Sequence, residues 1–453
     1  MATIYALASA KGRGGVAIIR VSGPRAKESL LKLCDFTGNV EPRRAYFRKI
    51  YKPDVSRETN EMSAQIDEAV VLYFAGPNSF TGEDVVEYHC HGGHAITEAL
   101  MEALSGFEDH RMAEPGEFTR RAFENGKIDL TQAEAVADLV DAETEYQRQQ
   151  ALAQAGGALY RLYEGWRSEI VHILAYAEAH LDFPDEDDVP ETLSDDVRAK
   201  INALISALES HLNDARRGER LRDGVRVAII GAPNAGKSSL LNNIAQRDVA
   251  IVSDIAGTTR DVLEVPLDLG GYPVILTDTA GLRPDDLDGS DQSRIEEEGI
   301  KRAIKIANEA DLKILLFNAA DLPDLDKHTL ALKDENALLV MNKMDLGQNV
   351  DIPENFTPIS LKDGTGINEC LGAVTKMVEE RYGYTDTPAL TRERHREALI
   401  EAKAAMERAL REDVLELSAE NIRQSAVAIG RITGKIDVEQ LLDVIFADFC
   451  IGK

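Results

Sequence analysis

A glycine-rich run in the middle of the chain has the residue types and spacing of a phosphate-binding loop. Residues 231–238, GAPNAGKS, fit the pattern G-x-x-x-x-G-K-[ST] and directly follow an apolar run at 225–230. Backbone N–H groups of such a loop surround phosphate oxygens, and the following helix adds the positive end of its dipole. We expect Lys237 to reach the outer phosphates and the Ser238 hydroxyl to bind Mg²⁺. Further nucleotide contacts are expected from Asn234, Ala235, Gly236 and Ser239.

Two later segments predict that the bound base is guanine. Residues 342–345, NKMD, follow an apolar run and resemble the N-K-x-D element of GTPases. A carboxylate at Asp345 would accept hydrogen bonds from the guanine ring N–H and amino group, whereas adenine offers no matching pair. Residues 360–362, SLK, occupy the position of the last guanine-contacting loop in that family. The expected base contacts are those of Asn342, Lys343, Asp345, Ser360, Leu361 and Lys362.

Two segments between these loops have the composition of γ-phosphate switches. The apolar run at 274–277 ends in DTAG, which places the Asp278 carboxylate just outside the ligands of Mg²⁺ and the flexible Gly281 near the γ-phosphate. Upstream, the run GTTRD at 257–261 supplies the hydroxyl of Thr259, which we expect to close onto Mg²⁺. The order of these motifs along the chain predicts GTP hydrolysis.

One residue departs from the commonest GTPases. Leu282 follows Gly281, where many relatives have a glutamine that orients the attacking water, so this chain must position its nucleophile in another way. A potassium ion can supply the missing positive charge, and Asn234 is suited to bind one. Glu296 is a candidate for the water-positioning acid. As the first of three successive glutamates, with Glu297 and Glu298, it also fits a solvated helix face.

The elements that must position these residues form several domains. Short β-type runs mixed with helical stretches predict an α+β domain over residues 1–127. From the capping-box pattern TQAE at 131–134, helical periodicity predicts the first part of a helical domain over 128–221. Alternating strands and helices predict an inserted Ras-like α/β GTPase domain over 222–380, and a second helical block over 381–453 completes the bundle.

Composition narrows the setting and the partners. With 51 basic and 79 acidic residues the chain carries a formal charge of −28, which repels nucleic acid and anionic membranes, so an RNA partner would need a local patch or a second protein. The four cysteines lie far apart, and we find no charged-then-apolar leader and no apolar stretch of membrane-spanning length. We therefore expect a cytoplasmic protein with no membrane partner.

The motif order and both flanks resemble the MnmE family of tRNA-modifying GTPases, also called TrmE, over nearly the whole chain. The flanking motifs that carry the resemblance are GRGGVAIIR at 12–20, GPNSFTGED at 76–84, PGEFT at 115–119, KIDL at 127–130 and the terminal FCIGK at 449–453. The resemblance implies a homodimer through a folate-binding first domain. It also implies a heterotetramer with an MnmG-type protein that brings FAD and NADH. Together the two would add a carboxymethylaminomethyl or aminomethyl group to the wobble uridine of certain tRNAs.

The resemblance also implies ligand sites. The first domain would bind 5-formyltetrahydrofolate or 5,10-methylenetetrahydrofolate through Arg20, Glu87 and Lys127, with Lys453 reaching the same site. K⁺-dependent dimerisation of the GTP-bound domains would activate hydrolysis. The implied K⁺ ligands are Asn234, Ser253, Ile255 and Thr258. The remaining implied GTP contacts are Asp254, Ala256, Gly257, Thr279 and Ala280.

Two further groups of residues allow more than one interpretation. His89 and His91 lie on one face of a strand, as in a metal site, although family members need no zinc and a packed strand end explains them as well. Cys450 could act as a thiolate nucleophile, or it could be a small apolar residue that docks the tail beside the folate site.

Two other functions remain to be distinguished from tRNA modification. A regulatory GTPase switch in ribosome assembly or signalling would need a basic RNA-binding appendage, and the acidic composition argues against one. A stand-alone folate enzyme that holds GTP as a structural ligand would show no potassium stimulation of turnover.

Overall fold

A computed structural model describes residues 2–36, 38–53, 64–182, 193–214, 216–251, 264–278, 304–346, 352–385, 387–436, 439–447 and 449–452. Within these residues the chain forms two compact units. The first unit contains residues 1–137 and 430–453, and the second contains residues 138–429.

The first unit is built on a six-stranded sheet in the order β3-β4-β5-β2-β1-β6. Its strands are β1 (Thr3–Leu7), β2 (Gly14–Ser22), β3 (Ala45–Tyr51), β4 (Gln65–Phe74), β5 (Val85–Gly92) and β6 (His110–Met112). Helices α1 (Ala26–Leu33) and α2 (His94–Ser105) belong to the same unit. Alternate residues of β2, β4 and β5, such as Ile19, Val71 and Tyr88, are buried with Leu30 and Leu100 of these helices in one core. The period-2 alternation thus turns one sheet face towards the helices. The other face is covered at β1, where Ile4 and Ala6 pack with Phe118, and is open at β3 and β4, where Phe47 and Val70 are exposed.

Three further helices complete the first unit: α3 (Glu117–Glu124), the start of α4 (Leu130–Asp141) and, near the chain end, α14 (Glu439–Ala447). Helix α4 begins earlier than the sequence pattern at 131–134 predicts. The Asp129 carboxylate accepts hydrogen bonds from the backbone N–H groups of Thr131 and Gln132, at 2.8 and 3.3 Å, and the Gln132 side chain accepts one from the Asp129 N–H at 3.1 Å. Asp129 and Gln132 therefore form the capping box, because an aspartate satisfies the free N–H groups of the first turn as well as a threonine does.

The second unit combines helices with a second six-stranded sheet. Its helices are α5 (Glu145–Ala155), α6 (Ala158–Asp182), α7 (Asp195–Leu212), α8 (Arg217–Asp223), α9 (Lys237–Ala245), α10 (Lys327–Leu330), α11 (Ile367–Tyr382), α12 (Glu393–Arg411) and α13 (Leu415–Thr433). Its strands are β7 (Val225–Ile230), β8 (Glu264–Leu269), β9 (Tyr272–Asp278), β10 (Leu312–Asn318), β11 (Ala337–Asn342) and β12 (Thr357–Pro358).

The second sheet has the order β12-β11-β10-β7-β9-β8, and only the β8–β9 pair is antiparallel. Apolar residues fill cores on both of its faces, with Ile229 and Leu316 on one face and Ile230 and Leu315 on the other. A mostly parallel sheet buried on both faces confirms the predicted α/β fold of this part of the chain. In such sheets, ligands bind outside the carboxyl ends of the strands, which is where the phosphate loop follows β7.

A half-buried histidine, His211, is expected to make the helical part of this unit sensitive to acid. His211 Nε2 lies 3.2 Å from the Tyr163 hydroxyl, and burial lowers the pKa of His211 from 6.5 to about 4. The folded protein therefore keeps this ring neutral, while the unfolded chain takes up a proton as the pH falls below about 6.5. We expect the free energy of unfolding to decrease between pH 6.5 and 4, by up to about 3 kcal/mol from this group.

Denaturant unfolding at pH 7 and pH 5 would measure this effect. His211→Gln should lose less stability on acidification than the unsubstituted protein does. Replacing the exposed His172 in the same way provides the matched control. Equal acid sensitivity of the His211→Gln variant and the parent would contradict the assignment.

Candidate functional site

The phosphate loop connects β7 to α9 and requires glycine at both ends. A Cβ on Gly231 would lie 2.4 Å from the Leu316 carbonyl oxygen, and a Cβ on Gly236 would lie 2.4 Å from the Asn342 amide nitrogen. Gly236 also has a φ of +106°, in the left-handed region that other residues rarely adopt. The backbone of the predicted loop is therefore held close to β10 and β11.

Lys237 and Ser238 stand at the start of α9 and face the end of β9. The Lys237 ammonium group donates to the carbonyl oxygens of Gly231 and Ala232, at 2.9 and 3.1 Å. The Ser238 hydroxyl donates to Asp278 Oδ2 at 2.6 Å. Burial lowers the pKa of Lys237, and the Asp278 carboxylate partly opposes that shift.

These groups fit a Mg²⁺ ion bound together with a nucleotide. A hydroxyl and a carboxylate in direct contact are the oxygen donors that Mg²⁺ prefers, and Mg²⁺ usually keeps several waters between itself and its outer partners. Ser238 would hold the ion directly and Asp278 would orient one of its waters. The structure thus brings together the residues predicted for the phosphate end of the site.

At the other end of the site, Asn342 joins the phosphate loop to the two segments that are predicted to contact the base. Its side chain is buried, and its Nδ2 donates to the Ala235 carbonyl at 2.8 Å. Its Oδ1 accepts from the backbone N–H groups of Lys343 and Leu361, at 2.7 and 3.4 Å. One amide thereby fixes three loops at once, a role that the sequence pattern alone does not reveal.

Asp345 lies beside the segment that was predicted to help in base recognition. Its Oδ1 accepts a hydrogen bond from the Ser360 hydroxyl at 3.2 Å, and its Oδ2 lies 3.5 Å from the Lys362 ammonium group. The carboxylate side chain is 15% exposed, so it is partly desolvated and still open to a ligand. This is the environment in which a carboxylate distinguishes guanine from adenine most strongly.

Asn234 is exposed within the phosphate loop and has a φ of +63°. The other residues predicted to bind K⁺ fall outside the described residues, as do the two predicted switch segments except for Asp278. The predicted site residues that lie outside the described residues are Ser253, Asp254, Ile255, Ala256, Gly257, Thr258, Thr259, Thr279, Ala280, Gly281, Glu296 and Lys453.

In the first unit, two of the predicted folate residues form a cross-strand ion pair. Arg20 of β2 is registered opposite Glu87 of β5, and Arg20 Nε lies 2.9 Å from Glu87 Oε1. The Arg20 guanidinium also lies 5.9 Å from the ring centre of Phe80 and 5.7 Å from that of Phe118. A charged pair between two aromatic rings can bind a flat ligand that carries both polar and charged groups.

Lys127 reaches the same region through the loop that carries Phe80. Its ammonium group donates to the Pro77 carbonyl at 2.9 Å. A Cβ on Gly82 would lie 3.4 Å from the Cγ and Cδ atoms of Lys127, so the lysine side chain lies along this loop. Lys127 therefore contacts the same loop, residues 76–84, that the Arg20–Glu87 pair reaches through Phe80, and folate binding by these three residues stays a prediction.

An ionic network, which sequence reasoning missed, connects the segments around the Arg20–Glu87 pair. Arg121 donates to Glu83 at 3.0 Å and to Glu117 at 2.9 Å, and Glu117 also accepts two hydrogen bonds from Arg111. Glu83 in turn accepts from the Ser22 hydroxyl at 2.8 Å. The network links β2, the loop at 76–84 and α3, which are distant in sequence, so no local pattern could have indicated it.

The C-terminal tail is docked against the first sheet by its backbone. Ile451 forms a β-bridge with Pro115, and the Cys450 carbonyl accepts a hydrogen bond from the Gly116 N–H at 3.4 Å. A Cβ on Gly452 would lie 2.2 Å from the Leu7 carbonyl oxygen. The Cys450 side chain is exposed, so its interpretation as a packing residue is wrong. The preceding Phe446 and Phe449 supply the apolar contacts, because their larger rings bury more surface than a thiol does.

The histidines of β5 make hydrogen bonds to carboxylates. His91 Nδ1 lies 2.8 Å from Asp67 Oδ1, and His89 Nε2 lies 3.3 Å from Glu87 Oε2. Among the described residues no group of three or more His, Cys, Asp or Glu side chains is arranged to hold a metal ion. The same part of the chain contains no helix that is long and apolar enough to cross a membrane.

Comparison with known proteins links both units to one family. The family model described as GTP-binding protein TrmE N-terminus matches residues 3–127, and the model described as MnmE helical domain matches residues 130–450. Curated proteins named tRNA modification GTPase MnmE are similar along their whole length. The protein of Parvibaculum lavamentivorans is 50% identical, over 100% of this chain and 100% of its own length. That of Paramagnetospirillum magneticum is 49% identical, over 100% of this chain and 99% of its own length.

A solved structure of Era from Aquifex aeolicus is similar to a smaller part of the chain. It is 24% identical, covers 40% of this chain and 66% of its own, and has a TM-score of 0.25.

Proposed function

Because the chain belongs to the MnmE family of tRNA modification GTPases, we propose that it couples GTP hydrolysis to modification of the wobble uridine of certain tRNAs. Hydrolysis of GTP is its enzymatic activity. The proposed product carries a carboxymethylaminomethyl or aminomethyl group at C5 of that uridine. The observation that best supports the nucleotide chemistry is the contact of Asn342 with both the phosphate loop and the base-recognition segments.

The phosphate end of the site suggests how each residue contributes to hydrolysis. Lys237 would exchange its carbonyl partners for the β- and γ-phosphate oxygens and stabilise the charge that develops on them. Ser238, with Thr259, would hold Mg²⁺, while Asp278 would accept a hydrogen bond from a metal-bound water. Gly281 would contact the γ-phosphate through its backbone. A bound Mg²⁺ supplies charge that neutralises the phosphates.

We propose that activation depends on potassium because Leu282 occupies the usual position of the water-orienting glutamine. Asn234 is exposed in the phosphate loop and offers an amide oxygen for the ion. Ser253, Ile255 and Thr258 would complete the ligands, and Glu296 would orient the attacking water. A bound K⁺ supplies positive charge near the leaving phosphate.

For the first unit we propose binding of 5-formyltetrahydrofolate or 5,10-methylenetetrahydrofolate as the one-carbon donor. Glu87 would accept hydrogen bonds from the pterin edge, and the cations Arg20, Lys127 and Lys453 would bind the anionic groups. Phe80 and Phe118 provide apolar surface beside the same pair. The exposed Cys450 stays a candidate for covalent chemistry at this unit.

The remaining parts of the proposal concern assembly. A homodimer through residues 1–127 would join an MnmG-type protein, which brings FAD and NADH, in a heterotetramer that acts on tRNA in the cytoplasm. Closure of the GTP-bound domains at 222–380 would be transmitted through the helical segments at 128–221 and 381–453. A regulatory GTPase without modification chemistry is the alternative, and folate binding separates the two.

Glu87→Gln is expected to weaken folate binding while leaving GTP hydrolysis intact. Losing a charge-assisted hydrogen bond costs about 1.5 to 3 kcal/mol, which corresponds to roughly 10- to 150-fold in the dissociation constant. Titration of the full chain with 5-formyltetrahydrofolate, followed by calorimetry, would measure the change. Glu68→Gln, an exposed glutamate on β4, is the matched control. If the unsubstituted protein showed no saturable folate binding, the regulatory alternative would be favoured.

A further inference from the structure

Positive charge is concentrated at the beginning of this acidic chain. Residues 1–53 contain 11 Lys or Arg and 3 Asp or Glu, while the whole chain contains 51 and 79, so this part carries +8 and the remaining 400 residues carry −36. The densest run is residues 42–53, which has five basic side chains and no acidic one. A local basic patch on an acidic protein is the electrostatic feature that a bound polyanion requires.

This run contains β3, the edge strand of the first sheet, together with the residues just before and just after that strand. We define the basic edge as Arg43, Arg44, Phe47, Arg48, Lys49 and Lys52. Basic residues on an edge strand often serve only to prevent pairing with other chains. That explanation does not account for Phe47, which is 62% exposed in the middle of the strand, because an exposed aromatic ring makes an edge more adhesive.

Aromatic rings also hold two of the basic side chains in place. The Arg48 guanidinium lies 5.0 Å from the ring centre of Phe36 and 5.5 Å from that of Tyr46. The Arg44 guanidinium lies 5.5 Å from the Tyr46 ring and forms a solvent-exposed ion pair with Glu41 at 2.9 Å. Such exposed pairs are weak and are readily exchanged for another anion. The ordered cations Arg44 and Arg48 therefore lie on the helix-facing side of β3, while Phe47 and Lys49 lie on its other side.

The strand register relates this edge to the proposed one-carbon site. Ala45 of β3 lies opposite Leu72 of β4, Leu72 lies opposite Glu87 of β5, and Glu87 lies opposite Arg20. Glu87 and Ala45 therefore lie in one cross-strand row, two strand spacings or about 10 Å apart. Phe47 stands in the adjacent row on the same open sheet face.

The loop beside the one-carbon site is also joined to the basic edge. Arg43 Nη2 donates to the Asn78 carbonyl at 2.9 Å, within the loop at 76–84 that carries Phe80. The basic edge, this loop and the Arg20–Glu87 pair thus form one continuous part of the first unit.

We infer that the basic edge binds RNA, with phosphates on Arg44, Lys49 and Lys52 and an unpaired base stacked on Phe47. This inference rests on the proposed function, because it assigns to the tRNA substrate a surface about two strands from the site where its uridine would react. An exposed ring on a sheet face, with cations along the neighbouring sheet edge, can recognise unpaired RNA by base stacking and neutralisation of the RNA backbone. A twofold contact with a second copy is less favourable, because a self-facing basic strand would bring like charges together.

The test is binding of a fluorescent anticodon-arm RNA hairpin to the full chain, measured by anisotropy over a series of salt concentrations. The triple variant Arg44→Gln, Lys49→Gln, Lys52→Gln should bind about tenfold more weakly, and the slope of log K against log salt should fall by about 2. The matched control is Lys200→Gln, Lys376→Gln, Arg411→Gln, which removes the same charge from exposed positions of the second unit. It should bind the hairpin as the parent does.

Phe47 gives an independent readout that does not depend on charge. Phe47→Ala should weaken binding roughly 5- to 100-fold without changing the salt slope, and Phe47→Tyr should restore it, because a tyrosine ring also stacks on bases. Failure of the tyrosine variant to restore binding would overturn the stacking role.

Other outcomes distinguish this inference from the proposed function. If the triple variant binds the hairpin as tightly as the parent, or loses only its association with a protein partner or a second copy, the basic edge is not the RNA surface. Wobble-uridine modification by the unsubstituted protein, assayed with its FAD-containing partner, would show that the proposed function stands even then. If the parent protein bound no RNA, the inference would be wrong whatever the modification assay showed.

Discussion

Replacing Lys237 with alanine is expected to abolish useful binding of guanine nucleotides. The ammonium group now contacts the carbonyl oxygens of Gly231 and Ala232 at the rim of the phosphate loop, where β- and γ-phosphate oxygens would replace them. Removing one partner of a buried charge pair costs about 2 to 5 kcal/mol, which corresponds to roughly 30- to 4000-fold in the dissociation constant. Titration with a fluorescent GTP analogue would measure the loss.

A second lysine in the same domain controls for nonspecific effects of charge. Lys333 is exposed and distant in sequence from the phosphate loop, so Lys333→Ala should leave GTP affinity unchanged. Thermal unfolding of both variants would show that each is folded. Micromolar GTP affinity in a folded Lys237→Ala protein would refute the assignment of the phosphate loop.

Asp345→Asn is expected to shift the preference of the site from guanosine to xanthosine nucleotides. The carboxylate lies between the Ser360 hydroxyl and the Lys362 ammonium group and is only 15% exposed, so it can accept two hydrogen bonds from guanine. The amide would face the guanine donors with a donor of its own, while xanthine offers it a carbonyl acceptor. Loss of two charge-assisted hydrogen bonds should weaken GTP binding by about 3 to 6 kcal/mol, roughly 10²- to 10⁴-fold.

Competition between GTP and xanthosine triphosphate would measure this change. Asp324→Asn is a suitable control, because Asp324 is an exposed aspartate of the same domain that lies in neither of the segments predicted to contact the base. A variant at Asp345 that kept the parent's preference for GTP would show that another residue recognises the base.

The sequence predicts those parts of the nucleotide site that depend on consecutive residues. The loop at 231–238 and the NKMD segment each combine their chemistry within one short run, and strand followed by helix is a local pattern. In the structure Lys237, Ser238 and Asp278 meet as expected, because the carboxyl ends of parallel strands share one edge of a sheet.

Contacts between distant residues could not be predicted in the same way. The Asn342 side chain reaches Ala235 across 107 positions, and Arg121 reaches Glu83 across 38. Such pairs depend on strand order and on loop packing, which composition and periodicity do not specify. The family resemblance assigned both Arg20 and Glu87 to a folate site, but it did not predict the ion pair between them.

The start of α4 and the environment of Cys450 both differ from the prediction, in each case because a neighbouring residue takes the predicted role. At the start of α4, both Asp129 and Thr131 are good N-caps, and only the tertiary structure decides which of them has its carbonyl and side chain in the right place. At the chain end, Phe446 and Phe449 take the buried positions and leave the Cys450 side chain exposed. The predictions for Thr259, Gly281 and Glu296 lie outside the described residues and stay predictions.

The most direct test of the whole account is nucleotide turnover by the purified protein, with GTP and ATP compared side by side in potassium and in sodium salts. We expect hydrolysis of GTP alone, with turnover in potassium at least about tenfold faster than in sodium, which corresponds to about 1.4 kcal/mol of the activation barrier. Equal turnover of ATP and GTP would contradict guanine recognition by Asp345, and equal GTP turnover in the two salts would contradict activation through Asn234 and its neighbours.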